Sequence, residues 1–295
     1  MTQARVRQLF MRLEGRLPLG FGVSGPLATR LFTDGEIDRL IGTARDQEIT
    51  IFDTAPSYGA GLGERRLGRA IGNDPAAFVM TKAGLTAKGC LKRVSDFTPE
   101  RIVQSVEDSL RRLKRDRIDL LWLHGPGQHQ INDRLCDALV RSIDDGKVAA
   151  VGIASRDRAA CAMADTFPFS AIMAPIREAK SGLAPLPSGI AFFGIEGLGQ
   201  VPLDHGIPRN RSGLWRTTRA LVRGKSRLPE KTTARAAFGY AFETADCDVV
   251  VTTTTKSARI QENSLLCAAF VDRLRGSQLL DSGQAHAGSN WAIQR

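Results

Sequence analysis

A chain of 295 residues, 42% hydrophobic and 24% charged, carries five cysteines and a formal net charge of +10, from 41 Lys and Arg against 31 Asp and Glu. The length admits two ordinary domains or one α/β barrel, while sparse cysteines without a Cys-x-x-Cys pair exclude a disulfide-stapled module and read as reduced thiols. Ordinary charge content with apolar residues throughout excludes a disordered chain. There is neither an uninterrupted apolar run of roughly 20 residues nor a secretory signal in the basic N-terminus MTQARVRQLFMRLEGR, so a soluble cytoplasmic protein without a membrane partner is expected.

The first apolar run, LPLGFGVSG at 17–25, contains Gly20-x-Gly22-x-x-Gly25, the outward form of a dinucleotide loop. Pro26 follows at once, however, and the capped helix comes only later, so the pattern carries little weight as a fingerprint. Thr33 and Glu36 form a capping box, after which Ile37, Leu40, Ile41 and Ala44 define one apolar face. Further runs follow as ITIFDTAP at 49–56 and AFVMTKAG at 77–84. Thr98, Pro99 and Glu100 then read as an N-cap with proline at the first helical position, continued by a stripe of Ile102, Val103, Val106, Leu110 and Leu113. The remaining runs are RIDLLWLHGP at 117–126, VAAVGIAS at 148–155, SAIMAPI at 170–176, GIAFFGI at 189–195 and CDVVVTTTT at 247–255.

Eight continuous apolar runs without in/out alternation suit parallel strands covered on both faces. Alternating with helical stretches and uninterrupted by a low-complexity linker, they predict one (β/α)8 TIM barrel over residues 1–295, with a doubly wound open sheet as the second possibility. Arginine supplies 32 of the 41 cations and is spread along the chain, which suits a solvated basic surface. The densest stretch, 209–235, holds nine cations against Glu230 and suits either phosphate contact or an exposed helix and loop. With few aromatics and no Cys/His finger spacing, nucleic acid is not the expected partner; an RNA or DNA binder would show affinity that falls steeply with salt.

Reactive groups of a barrel gather at the C-terminal ends of its strands. The second run ends in Asp53, with Tyr58 five residues on, the third in Lys82 and the fourth in His124. This set suits proton transfer by a phenol: a lysine ammonium lowers the tyrosine pKa, an aspartate holds the lysine charged, and a histidine can hydrogen-bond a carbonyl. A metal site would need more His, Cys or carboxylate ligands close together, and none is expected.

These residues carry a family resemblance. IFDTAPSYGAGLGERRLGRAI at 51–71, VMTKAG at 79–84 and RIDLLWLHGP at 117–126 resemble the signature segments of the aldo-keto reductases. The resemblance implies hydride transfer between NADPH and an aldehyde, ketone or sugar-like carbonyl. Tyr58 would be the general acid, Lys82 its pKa modulator, Asp53 the partner of Lys82, and His124 the residue that orients the substrate. TTTTKSARIQEN at 252–263 is similar to the family's adenosine-phosphate segment. It would assign Thr254, Lys256 and Arg259 to a 2′-phosphate and Glu262 and Asn263 to adenine, favouring NADP(H) over NAD(H) and making part of 209–235 a cofactor clamp. Asp53 and Ser155 would also face the cofactor.

Three positions depart from that pattern. Ala154 and Ser155 stand where the family has Ser-Asn, Met173 where it has a glutamine, and Gly194 or Ile195 where an aromatic stacks on the nicotinamide. A catalytically weak relative, with a cofactor-binding, regulatory or scaffolding role, is therefore the alternative to an active reductase. Gly125 stands where many relatives carry tryptophan, Trp291 is a candidate wall of the pocket, and the polar loop TAKGCLKRVSDF at 86–97 is expected to border it. Nothing in the chain names a substrate or an oligomeric state.

Overall fold

The computed structural model describes residues 2–88, 92–165, 169–176, 189–196, 211–212, 215 and 233–281. Each of the eight apolar runs contains one strand: β1 (Leu19–Gly22), β2 (Ile51–Asp53), β3 (Phe78–Ala83), β6 (Leu120–His124), β7 (Val151–Ala154), β8 (Ala171–Pro175), β9 (Ala191–Ile195) and β10 (Val249–Thr252). All pair in parallel and close on themselves in the order β1-β10-β9-β8-β7-β6-β3-β2, the seam being Leu19↔Val250 and Phe21↔Thr252. This is the (β/α)8 TIM barrel expected from the sequence.

Side chains alternate along each strand, so every second residue points inward. Ile51, Phe78, Met80, Leu120, Trp122, Met173, Phe193, Val249 and Val251 fill the interior as one cluster. The intervening residues, such as Phe21, Val79, Leu121, Leu123 and Ile172, pack outward under the helices. Trp122 is fully buried and meets Phe193 edge-on at 5.1 Å. Its ring fits because the neighbouring strand carries Gly152, where a Cβ would lie 2.5 Å from the indole.

Helix α2 (Asp34–Asp46) has the expected capping box. Thr33 Oγ1 accepts from the Glu36 N–H, Glu36 Oε2 accepts from the Thr33 N–H at 2.7 Å, and Ile37, Leu40, Ile41 and Ala44 are buried. Helix α4 (Pro99–Leu113) begins as expected at Pro99, but the Thr98 hydroxyl donates to Asp96 rather than capping the helix. Val103 also leaves the stripe and is 38% exposed, because consecutive residues lie about 100° apart around a helix and Ile102 already occupies the inner direction.

Two elements were not expected as regular structure, the first lying largely in the stretch 86–97 that was expected only as a polar loop. A hairpin, β4 (Leu85–Lys88) with β5 (Lys92–Ser95), leaves the barrel directly after β3. Helix α1 (Thr2–Leu13) lies across the N-terminal ends of the strands, with Leu9 and Leu13 buried in the interior cluster. Arg12 pairs with the buried Asp119, while Arg16 donates to Thr50 Oγ1 at 2.9 Å and Ala76 O at 2.5 Å. Asp119 also accepts from Arg115 and from the Val79 N–H, at 3.2 and 2.8 Å, so one carboxylate joins α1 to β3 and β6. Removing a buried acid that serves two cations leaves uncompensated charge. Asp119→Ala should therefore lower stability by about 3 kcal/mol or more, read as a reduced urea midpoint, with a smaller loss for Asp119→Asn.

Candidate active site

The inward positions turn from apolar to ionisable at the C-terminal ends of three adjacent strands. Asp53 follows Ile51 on β2, Lys82 follows Met80 on β3, and His124 follows Trp122 on β6, each by two residues. Tyr58 comes from the turn after β2. Its N–H donates to Ala55 O at 3.0 Å, and Gly61 N–H to Pro56 O at 2.8 Å. The turn needs left-handed backbone at Gly59 (φ 63°) and Gly61 (φ 80°), and a Cβ at Gly59 would collide with Ala28 O. Helix α3 (Leu62–Ala70) then starts, and its buried Glu64 accepts from Thr81 Oγ1 at 2.7 Å and Arg112 Nε at 2.5 Å. That network fixes the helix against β3 and α4.

Lys82 Nζ donates to Asp53 Oδ1 at 2.5 Å and Thr54 O at 2.9 Å, and sits 5.1 Å from the Tyr58 ring centroid. Tyr58 and His124 meet edge to face at 5.9 Å. Burial alone would lower the lysine, but the Asp53 carboxylate and the phenol hold it above its usual value. Burial raises Asp53 despite the ammonium beside it. It also raises Tyr58, against the pull of Lys82. Burial is the larger influence and keeps the phenol protonated, while Lys82 acts in the expected direction by pulling its pKa down. Burial, followed by Lys82 and Arg93, lowers His124 to about 3, so its imidazole is neutral. Ser57 Oγ lies 3.4 Å from His124 Nδ1.

Asp53, Tyr58, Lys82 and His124 all line one cavity of about 790 Å³, which extends past Ala154 and Met173 to Thr252 and Thr253 at the end of β10. The expected alterations of the amide shell are present in space: Ala154 and Met173 line it without a hydrogen-bonding group. Ser155 also lines it, but its hydroxyl donates to Pro126 O at 3.1 Å and accepts from the Asp157 N–H. Its hydroxyl proton is engaged by that backbone carbonyl. An ion pair between Arg156 and Glu196, 2.6 Å apart, joins the ends of β7 and β9.

Beyond β10, Thr254 Oγ1 accepts from the Lys256 N–H at 3.3 Å and helix α8 (Ser257–Asp281) begins. Helices α5 (Asp133–Asp144), α6 (Arg158–Ala162) and α7 (Ala234–Gly239) precede it in the chain. Lys256, Arg259 and Glu262 are exposed, whereas Asn263 is 3% exposed. Most of the basic stretch 209–235 and Trp291 lie outside the described residues. Within that stretch, Arg211 pairs with Glu36, donates to Leu31 O and stacks on Phe32, and so serves packing rather than a phosphate. The loop 86–97 borders the cavity through Arg93, as expected, whereas sequence reasoning missed Arg156 at the cavity and Ser57 beside His124. Arg156 stands in a polar stretch without a periodic signal, and Ser57 beside Tyr58 was legible from position.

Residues 18–175 match the sequence profile of the aldo/keto reductase family. A D-threo-aldose 1-dehydrogenase of Pseudomonas is 36% identical over 163 residues, 46% of this chain and 49% of that protein, so the matched stretch spans about half of the relative's length. A probable aldo-keto reductase of Glycine max is 26% identical over 89% of this chain and 85% of its own. Among solved structures, an aldo-keto reductase of Bacillus halodurans in its holo form superposes with a TM-score of 0.64 at 21% identity, covering 84% of this chain and 85% of the other. With the profile matched over more than half of its length, the chain belongs to the aldo/keto reductase family.

Proposed function

We propose that this protein is an NADP-dependent oxidoreductase that interconverts a small aldehyde, ketone or sugar-like carbonyl compound and its alcohol, with Tyr58 as general acid. The observation that carries the reading is the buried Lys82–Asp53 pair beside a protonated Tyr58 and a neutral His124 at one barrel mouth. The aldose dehydrogenase among the relatives supports a sugar-like substrate.

The residues fit a nicotinamide dinucleotide at its phosphate end. The N-terminus of a 25-residue helix, with Lys256 and Arg259 exposed beside it, suits a terminal phosphate, and Arg259 would hold the 2′-phosphate. The bound dinucleotide would supply the hydride. A carbonyl oxygen between Tyr58 and His124 would receive the phenol proton as negative charge develops on it. Lys82 then stabilises the phenolate left behind, and Asp53 keeps Lys82 charged. When Ser57 donates to Nδ1, the His124 proton sits on Nε2 and is available to the same oxygen.

A second reading, a cofactor-binding relative with little turnover, is favoured by one observation: Ala154, Met173 and the committed Ser155 leave the carboxamide end of the cavity short of donors. Tyr58→Phe separates the two readings. Carbonyl-dependent NADPH oxidation should fall about 10²- to 10⁴-fold while NADPH binding is retained, whereas equal rates for both proteins would favour the second reading. Arg259→Ala should lower the NADPH-to-NADH affinity ratio about 10-fold or more, measured by fluorescence titration.

His124 also gives a pH dependence. Its folded value of about 3 lies below the usual histidine value near 6.5. The unfolded chain therefore takes up a proton that the folded chain refuses, and stability present above about pH 6.5 is lost as pH falls toward 3. His124→Gln should flatten the fall of the urea midpoint between pH 7 and pH 4.5, and the wild-type His124 ring should remain neutral by NMR at pH 5.

A further inference from the structure

The charged side chains of the cavity wall are almost all matched. Lys82 faces Asp53, and Arg156 faces Glu196. The Asp157 carboxylate accepts the N–H groups of Ala159 and Ala160 at the start of α6. Arg93 also lines the cavity, and among the described residues no acidic side chain pairs with it.

The hairpin explains its aim. Residues directly opposite in an antiparallel pair share a face, as do residues two apart. The register pairs Leu85 with Ser95 and Ala87 with Arg93, so these four form one face, and Leu85 and Arg93 from it line the cavity. Val94 belongs to the other face and is 41% exposed, and Arg93 is itself exposed at the cavity rim. At the root of the hairpin, Gly84 (φ 92°) lies against the buried Phe97 ring, which occupies the space a Cβ would need. The root of the hairpin is therefore fixed by packing two residues beyond Lys82, with Leu85 and Arg93 at the mouth.

We infer that Arg93 selects carbonyl substrates that carry an anionic oxo group, carboxylate or phosphate, at the end remote from the carbonyl. The inference rests on the reductase reading of the same site. With the carbonyl at Tyr58 and His124, the remainder of a short substrate extends along the wall formed by Leu85 and Arg93. A guanidinium offers paired donors to such a group, and a cavity whose other cations are already matched leaves this one to meet a ligand charge. Its positive charge is felt at the reacting groups, since it helps lower His124 and opposes the effect of burial on Tyr58.

The test compares matched substrates: 4-carboxybenzaldehyde with the neutral, similarly shaped 4-nitrobenzaldehyde, and glyceraldehyde 3-phosphate with glyceraldehyde. Intrinsic reactivity cancels when each anionic-to-neutral ratio of kcat/KM is compared between variant and wild type. Arg93→Ala should lower that ratio about 10- to 100-fold, mainly through KM, for the pair whose anion the site accepts. Arg93→Lys should fall between, and Arg93→Glu should lower it further. Which pair responds tells carboxylate from phosphate. Ratios unchanged in both pairs for Arg93→Ala and Arg93→Glu would overturn the inference and leave the reductase reading standing. If the wild type reduces none of the four, the reductase reading fails, and calorimetric titration with 4-carboxybenzyl alcohol and with glycerol 3-phosphate decides the matter. Binding of either that Arg93→Ala loses supports an anion site at Arg93; binding equal in both proteins, or none to the wild type, overturns it.

Discussion

Lys82 and Asp53 carry opposite charges almost out of reach of water, at 3% and 7% side-chain exposure, with 2.5 Å between Nζ and Oδ1. Either charge alone at that depth would be strongly disfavoured, so the two must arrive together. This fixes what surrounds them. Strands β2 and β3 must be neighbours in the register that sets Asp53 beside Met80, which brings the next inward residue of β3 within reach. The Thr54 carbonyl takes another ammonium proton, and the turn that follows swings Tyr58 over the same nitrogen. The grouping of ionisable side chains at the mouth is thus a consequence of strand order.

The closed base has the complementary role. α1 covers the N-terminal ends of the strands with Leu9 and Leu13, its Arg12 is fastened to Asp119, and Arg16 just beyond it is fastened to Thr50 and Ala76. Below Asp53, Lys82 and His124 the interior is filled by Trp122, Phe193 and their neighbours. The ionisable layer therefore has packed side chains beneath it and open space only above, which is why burial dominates the protonation of Tyr58 and His124.

The barrel was legible because its strands are sheltered on both faces and appear as unbroken apolar runs, one for each of the eight. Thr33 and Glu36 announced α2 because a capping box is a local contract between residues three apart. Asp53, Tyr58, Lys82 and His124 could be grouped because each stands at or just beyond the end of such a run. What stayed hidden is non-local and polar. Leu9 and Leu13 have helical spacing, yet no sequence pattern says that they enter a barrel base. The β4–β5 hairpin pairs Thr86 with Val94 and Ala87 with Arg93, residues without a shared apolar face to betray it. The engagement of Arg211 with Glu36 joins positions 175 residues apart. The raised pKa of Tyr58 depends on how much water is missing around it, a quantity that spacing does not encode.

Gly84 carries a different kind of consequence. Its left-handed backbone and the Phe97 ring pressed against it leave no room for another residue at the root of the hairpin, while Val94, toward the outer face, lies open to solvent. Mutational freedom is therefore unequal along these few residues. Substitutions on the hairpin arms can alter what the mouth admits without moving Lys82, whereas a change at the root would tilt the arm and the end of β3 together. Sequence divergence in descendants of this chain should accordingly collect on the arms of β4 and β5 and spare the Gly84–Phe97 contact.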